Sequence, residues 1–346
     1  MYDGIADLPV RIDSVELSTL ERETSSDFTR VSTVIEFHGD GATGRGEDVT
    51  YDAGDHRTLV AADPDWGLTG EWTFDEFSAH LDDVDLFPEP PESETARHYR
   101  RWGVESAALD LALRQAGESL GSVLDRTYDP VRFVASTRLG DPPTIDRVEE
   151  FLSVDPTLEF KLDPTPGWTP DLIDRLADTG RVRVLDLKGA YEGTSVDNPP
   201  DPDLYGRVLA GFPDAVVEDP ALTDDTRPLF DGHRDRVAWD HPITGVESVE
   251  SLPFEPSWLN VKPSRFGTVE SLLATISYCE ERGIRTYGGG QFELGPGRDQ
   301  IQALAALFYP DAPNDVAPSA YNDPEISGDL PSSPLDPPED VVGIGW

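Results

Sequence analysis

Cysteine is nearly missing from this chain. Cys279 is the only one, which excludes an intrachain disulfide and a cysteine-based zinc site. On the helical stretch where it falls, it reads as a small buried hydrophobe. Lysine is almost as scarce: of 27 basic residues only Lys161, Lys188 and Lys262 are lysine, and the other 24 are arginine. Basic charge as a whole is short, with 68 acidic side chains giving a formal charge of −41 over 346 residues. A polyanion of this kind repels nucleic acid and anionic lipid, so neither is expected as a partner. No run of 18 apolar residues occurs, so no membrane span is expected. The first residues, MYDGIADLPV, lack the basic and apolar regions of a signal peptide, and a cytoplasmic location is expected.

What is present is the material of a large core. Aromatics make up 9% of residues, and apolar segments recur between carboxylates along the whole chain. That pattern reads as a folded protein with a hydrated acidic surface, as suits a halophilic cytoplasm, rather than as a disordered acidic tail. The length allows a large domain with a smaller partner.

Residues 1–125 read as a mixed α+β domain. Val31–Gly39 is rich in β-branched and aromatic residues and is expected to be a strand. The glycine-rich GDGATGRGE is expected to turn the chain, with DVTYD as the return strand. A helix is expected through Val104, Ala108 and Leu111, which share one face, with Gly117 as its stop. A cap loop around Leu17–Phe28 is the expected selector of substrate.

From residue 126 the texture changes. Short apolar runs alternate with amphipathic stretches: VRFVAS, LEFKL, VRVLDL, AVVED, RVAWD, WLNVK and IRTYGG are each followed by a helical candidate. NDVAP (Asn314–Pro318) supplies an eighth strand. Seven strand–helix repeats and a last strand imply parallel pairing with helical crossovers. The expected fold is therefore α/β: a modified (β/α)7β TIM-type barrel over 126–318, with residues 1–125 as an N-terminal α+β capping domain. The tail, 319–346, is expected to pack back on that domain.

In such a barrel, chemistry collects at the C-terminal ends of the strands. Lys161, Asp186, Glu218, Asp240 and Lys262 fall at those ends, and Glu293 follows the seventh strand. Their spacings of 25, 32, 22, 22 and 31 residues are each about one strand–helix unit, so they should ring one mouth. All three lysines belong to that mouth. Asp186, Glu218 and Asp240 form a hard-oxygen set suited to Mg2+; in so acidic a chain the alternative is a set of solvated strand ends. Lysines on the second and sixth strands would face each other across the metal, where one can act as general base. His241, next to Asp240, should point away by strand alternation.

These residues resemble the enolase superfamily, in its muconate-lactonising and mandelate-racemase-like branch. Gly41–Glu47 resembles the G-x-x-G-x-G-E of its capping domain. Asp186–Tyr191 is similar to D-x-N-G-x-[WY], and Glu218-Asp-Pro220 to E-[DQ]-P. Asp240 takes the place of the third metal ligand. Asn260–Gly267 resembles N-[IV]-K-P-S-R-x-G, and Gly288–Arg298 resembles G-G-x-x-E-x-G-x-G-R. The resemblance implies a Mg2+-dependent enzyme that removes a proton α to a carboxylate, for dehydration, epimerisation or racemisation, or cycloisomerisation. It implies Lys262 and Lys161 as catalytic residues, and Asp163, Lys188 and Glu293 beside them are the candidate substrate-binding set. Two departures stand out: the usual K-x-K of the second strand is Lys161-Leu-Asp163, and the usual asparagine of D-x-N is Lys188. An ion pair between Asp163 and Lys188 across neighbouring strands would link them. Expected partners are a small carboxylate substrate and further copies of the chain. A Schiff-base lyase or aldolase using a barrel lysine, and a non-catalytic binding protein with a decayed site, remain as alternatives.

Overall fold

The computed structural model describes residues 1–26, 28–191 and 197–346. The N-terminal part holds a three-stranded antiparallel sheet of β2 (Ser14–Glu23), β3 (Thr29–Gly39) and β4 (Ala42–Asp48). A small ribbon of β1 (Pro9–Ile12) and β5 (Gly70–Thr73) lies beside it. The expected hairpin exists, but its return strand is the glycine-rich segment itself. The turn is only Asp40-Gly41, both at positive φ (48° and 76°), as a tight two-residue hairpin requires. The glycines serve packing instead. A Cβ on Gly46 would lie 2.0 Å from the Gly103 carbonyl oxygen, and one on Gly44 2.3 Å from that of Ala107. The helix Thr95–Ala116 can therefore lie directly on β4. That helix ends at Gly117 in the left-handed region, as its sequence predicts.

The expected cap loop is also redrawn. Leu17–Glu23 belongs to β2, paired with β3 as far as Glu23 opposite Thr29. Only Thr24–Phe28 remains as a connection, and of it Asp27 lies outside the described residues.

The second part is a seven-stranded parallel sheet in the order β12-β11-β10-β9-β8-β7-β6. Its strands are β6 (Ala135–Thr137), β7 (Phe160–Leu162), β8 (Val182–Asp186), β9 (Val216–Glu218), β10 (Val237–Trp239), β11 (Trp258–Val261) and β12 (Arg285–Gly288). Six fall inside the apolar runs that predict them, and β6 passes the end of its run by one residue, Thr137. The eighth position is reduced to two bridges: Asn314 pairs with Phe133, just before β6, and Asp315 with Gly289, just after β12. They join the two edges of the curled sheet. Asn314 fixes this seam, its side chain accepting from the Gly288 N–H and donating to the carbonyls of Arg132, Tyr309 and Ala312.

Helices follow the strands as expected, with one exception. The segment after β9 is not an α-helix but a short 3-10 turn, Arg227–Phe230. Pro228 cannot donate, and Thr223 and Thr226 tie their own backbone into a local turn. The tail runs back along the molecule: Leu335 bridges to Val131 at the barrel's start, and the Ile344 N–H reaches Asp110 on the long cap helix. No described helix is long and apolar enough to cross a membrane.

Candidate active site

Parallel strands in register bring like-numbered side chains to one face. Val184, Val216, Ala238 and Tyr287 form an apolar layer inside the barrel. Asp186 lies two residues beyond Val184 and Glu218 two beyond Val216, and they are register partners of β8 and β9. They therefore stand on top of that layer, at the strand ends. Asp240 follows β10 by one residue, and Lys161 and Lys262 rise from β7 and the end of β11. Asp186, Glu218 and Asp240 are fully buried, and each offers a carboxylate oxygen within 4.8 Å of the others.

Above them is a cavity of about 610 Å³ between cap and barrel. Phe28, Tyr51 and Tyr99 line it from the cap; Lys161, Lys188 and Lys262 line it from the barrel. The mouth thus gathers all three lysines. Asp163 also lines the cavity, whereas Glu293 does not. Glu293 is turned into its own loop, accepting from the Gln291 N–H at 2.8 Å and lying 3.7 Å from Arg298.

Each carboxylate has an ammonium beside it. Lys161 Nζ is 2.6 Å from Glu218, and 3.6 and 3.5 Å from Asp186 and Asp315. Lys262 Nζ is 2.9 Å from Asp240. Lys188 Nζ forms a short ion pair with Asp186 and lies 3.8 Å from Asp163. Burial alone would lower the Lys161 pKa, but Glu218, Asp186 and Asp315 outweigh it and hold the ammonium well above its ordinary value. Lys188 is likewise desolvated and likewise held up, by Asp163 and Asp186. Asp186 and Asp240 are pulled below the usual carboxylate range. Burial opposes this, but Lys188 and Lys161 prevail at Asp186, and Arg265 and Lys262 at Asp240. Glu218 goes the other way: burial raises its pKa well above normal, Lys161 relieves only part of that, and Asp186 and Asp240 add to the rise.

Several neighbours carry no separate signal in the sequence. Arg265, three residues after Lys262 on a short helix, reaches Asp240 at 3.4 Å and the His241 carbonyl at 2.7 Å. Its position in the K-P-S-R segment is the one clue to it. Tyr191 donates to Asp240 at 2.8 Å, Asn260 donates to Glu218 at 3.2 Å, and the Tyr287 hydroxyl also donates to Glu218. His241 lines the cavity, contrary to strand alternation, and its ring packs 4.3 Å from that of Tyr191. The strand stops at Trp239, so the alternation no longer applies two residues later. Gly289 has a packing reason: a Cβ there would meet Asn260 at 2.3 Å and Lys262 Cε at 2.9 Å.

The donor set fits a hard divalent cation. It is all oxygen, convergent and dry, and Asp240 Oδ1 is a buried carboxylate oxygen with no hydrogen-bond partner.

A barrel closed by a cap, with this carboxylate trio at the strand ends, defines the enolase superfamily fold, and solved structures agree. A member of that superfamily from Listeria innocua superposes with a TM-score of 0.69 at 18% identity, covering 90% of this chain and 86% of that one. Muconate cycloisomerase from Pseudomonas fluorescens gives 0.64 at 17% identity, covering 89% and 87%. The expected fold is borne out, and these neighbours carry the names of the expected superfamily and of its muconate-lactonising branch. Among curated proteins, the o-succinylbenzoate synthase of Bacillus subtilis (strain 168) is 27% identical over 234 residues, which is 65% of this chain and 61% of the relative's length. The chain belongs to the family described as Domain of unknown function DUF8230, whose N-terminal domain matches residues 3–123 and whose C-terminal domain matches 127–323.

Proposed function

We propose that the chain is a divalent-metal-dependent enzyme, with Mg2+ as the ion, that removes a proton α to the carboxylate of a small substrate. One observation carries this reading: three convergent buried carboxylates lie under a cavity between cap and barrel whose floor holds a lysine on either side. Asp186, Glu218 and Asp240 would hold the cation. When bound, it would supply positive charge for the negative charge that develops on the substrate carboxylate as the α-proton leaves.

The chain's own groups divide the remaining work. Lys262 takes the α-proton; Gly289 leaves room for its stem to lie against the cavity. Lys161 is kept charged by three carboxylates, so it suits electrostatic binding of the substrate carboxylate rather than proton removal. The cap closes the mouth with aromatic side chains, which exclude water and offer an apolar wall to the body of the substrate. With one effective base, loss of the proton and of a leaving group from the same face is easier than a two-base inversion. We therefore favour a lyase, an elimination of water, and the name of the Bacillus relative makes o-succinylbenzoate the first product to test.

The experiment follows solvent deuterium entering the α-carbon of candidate carboxylates by NMR, for the parent, Lys262→Ala and Lys161→Ala. Lys262→Ala should abolish exchange, while Lys161→Ala should chiefly raise KM. Exchange kept at the parent rate in Lys262→Ala and lost in Lys161→Ala would move the base to β7. Absence of exchange and product across the panel, with metal present, would count against the enzymatic reading.

A further inference from the structure

The three carboxylates of the site and the three lysines of the chain pair one to one: Lys188 with Asp186, Lys161 with Glu218, Lys262 with Asp240. Lys161 and Lys262 extend from β7 and the end of β11 in extended backbone. Lys188 does not. Its φ is +56°, in the left-handed region that is unfavourable for a non-glycine residue. That backbone turn folds the side chain back over Asp186, two residues earlier. Its N–H also donates to Asp186 Oδ1 at 3.1 Å while its ammonium pairs with Oδ2. One residue thus occupies both oxygens of a carboxylate that a cation would need.

A second carboxylate is within reach. Asp163 Oδ1 lies 3.8 Å from Lys188 Nζ. The other ion pair of Asp163 among the described residues is a long one, 3.6 Å to Arg138, which is half exposed. A slight rotation of the lysine's end would transfer the ammonium from Asp186 to Asp163.

We propose that Lys188 is a built-in counter-ion that competes with the divalent cation for Asp186, and that Asp163 receives its ammonium when the cation binds. This rests on the reading of Asp186, Glu218 and Asp240 as cation ligands. The physics is local. An ammonium and a divalent cation in contact with one carboxylate repel each other. An ammonium driven off Asp186 needs another negative partner, because a largely buried charge left unpaired is costly. Lys188 therefore weakens cation affinity, and Asp163 recovers part of the loss.

The test is calorimetric titration of the full, metal-free chain with Mg2+, and separately Mn2+, without substrate. Lys188→Gln should bind about tenfold tighter or more, as removal of a unit charge at contact distance predicts. Asp163→Asn should bind about fivefold more weakly, within the range of coupling between neighbouring groups. The double variant should match Lys188→Gln, because Asp163 acts only through Lys188. Unchanged affinity in Lys188→Gln overturns the proposal. So does an equal weakening by Asp163→Asn in both backgrounds, which would mean a general field effect. If Asp186→Asn abolishes binding while Lys188→Gln changes nothing, only this inference fails. If neither the parent nor Lys188→Gln binds the ion, the metal reading fails as well. A second measurement needs no Lys188 variant. In protein carrying 13Cε-lysine only three signals arise, and Asp163→Asn should suppress the cation-induced shift of one of them; identical shifts in both proteins overturn the proposal.

Discussion

Replacing Asp240 with asparagine isolates charge from shape at the centre of the site. The carboxylate lies 2.9 Å from Lys262 Nζ and 3.4 Å from Arg265, and it accepts from Tyr191 at 2.8 Å. Asparagine fills the same volume but leaves an ammonium and a guanidinium, both nearly inaccessible, without their shared counter-ion. Removing one partner of such a buried pair costs about 3–5 kcal/mol. With about 2.1 cal/mol/K of unfolding entropy per residue, 346 residues give roughly 0.7 kcal/mol/K, so Tm should fall by roughly 4–7 °C. Cation binding adds a second signature. At about 100 times its Kd, an ion specific for the folded state stabilises by about 2.7 kcal/mol, roughly 4 °C on the same scale. The parent should gain this shift on adding Mg2+, and Asp240→Asn should gain little of it. Calorimetric melts of both proteins, with and without Mg2+, make the comparison. A variant that melts with the parent in the absence of metal would refute the buried-charge argument. One that keeps the full metal shift would remove Asp240 from the ligand set.

Asp219 gives a pH test of opposite sign to Asp186 and Asp240. Burial, then the charges of Asp240 and Asp186, push its pKa up to about 7. Its folded value thus lies above the unfolded one, so its contribution is full below about pH 4 and is lost as pH rises through about 7. In metal-free melts the parent should therefore lose ground against Asp219→Asn between about pH 5 and pH 8; a constant difference would contradict this. Asp186 and Asp240, held low, should instead lose their contribution only in acid. Glu47 accepts from Ser32 and from the N–H groups of Leu294, Gly295 and Gly297, tying the cap to the start of the helix Pro296–Phe308. Glu47→Ala should cost on the order of 3 kcal/mol by stranding those donors, and hydrogen exchange should rise in residues 294–297; unchanged protection there would show that Glu47 does not hold the cap down. The charge of −41 should make stability fall as salt is withdrawn, and melts that do not respond to KCl would show that self-repulsion is not limiting.

The barrel was legible because its signals are local. Each strand falls in a short, largely apolar run, and a parallel strand buried on both faces needs little else to be recognised. The ring of ionisable strand ends followed from spacing alone. What escaped depends on partners distant in sequence. β4 looks like a turn because its glycines answer to the helix Thr95–Ala116, more than fifty residues away, and nothing inside Gly41–Glu47 announces that contact. The eighth strand, expected over Asn314–Pro318, is there but reduced to bridges at Asn314 and Asp315, because the Asn314 side chain rather than a ladder holds the seam. His241 was misplaced because alternation was carried past the true end of β10.

The lysines mark the same boundary between local and distant information. Their scarcity is visible in the composition, and their place at the mouth follows from strand spacing, but their pairing does not. On the surface of so acidic a chain, arginine can replace lysine at little cost, because exposed ion pairs contribute little. At this mouth the substitution is different in kind. Lys161 has its ammonium among Glu218, Asp186 and Asp315. A compact point charge can serve three carboxylates from one position, whereas a planar five-donor fork would have to splay between strands that pack without spare volume. The same size argument holds for Lys262, whose stem runs against Gly289. A site that needs small, desolvated positive charges next to carboxylates can be built only from lysine, and that is where this chain places all three.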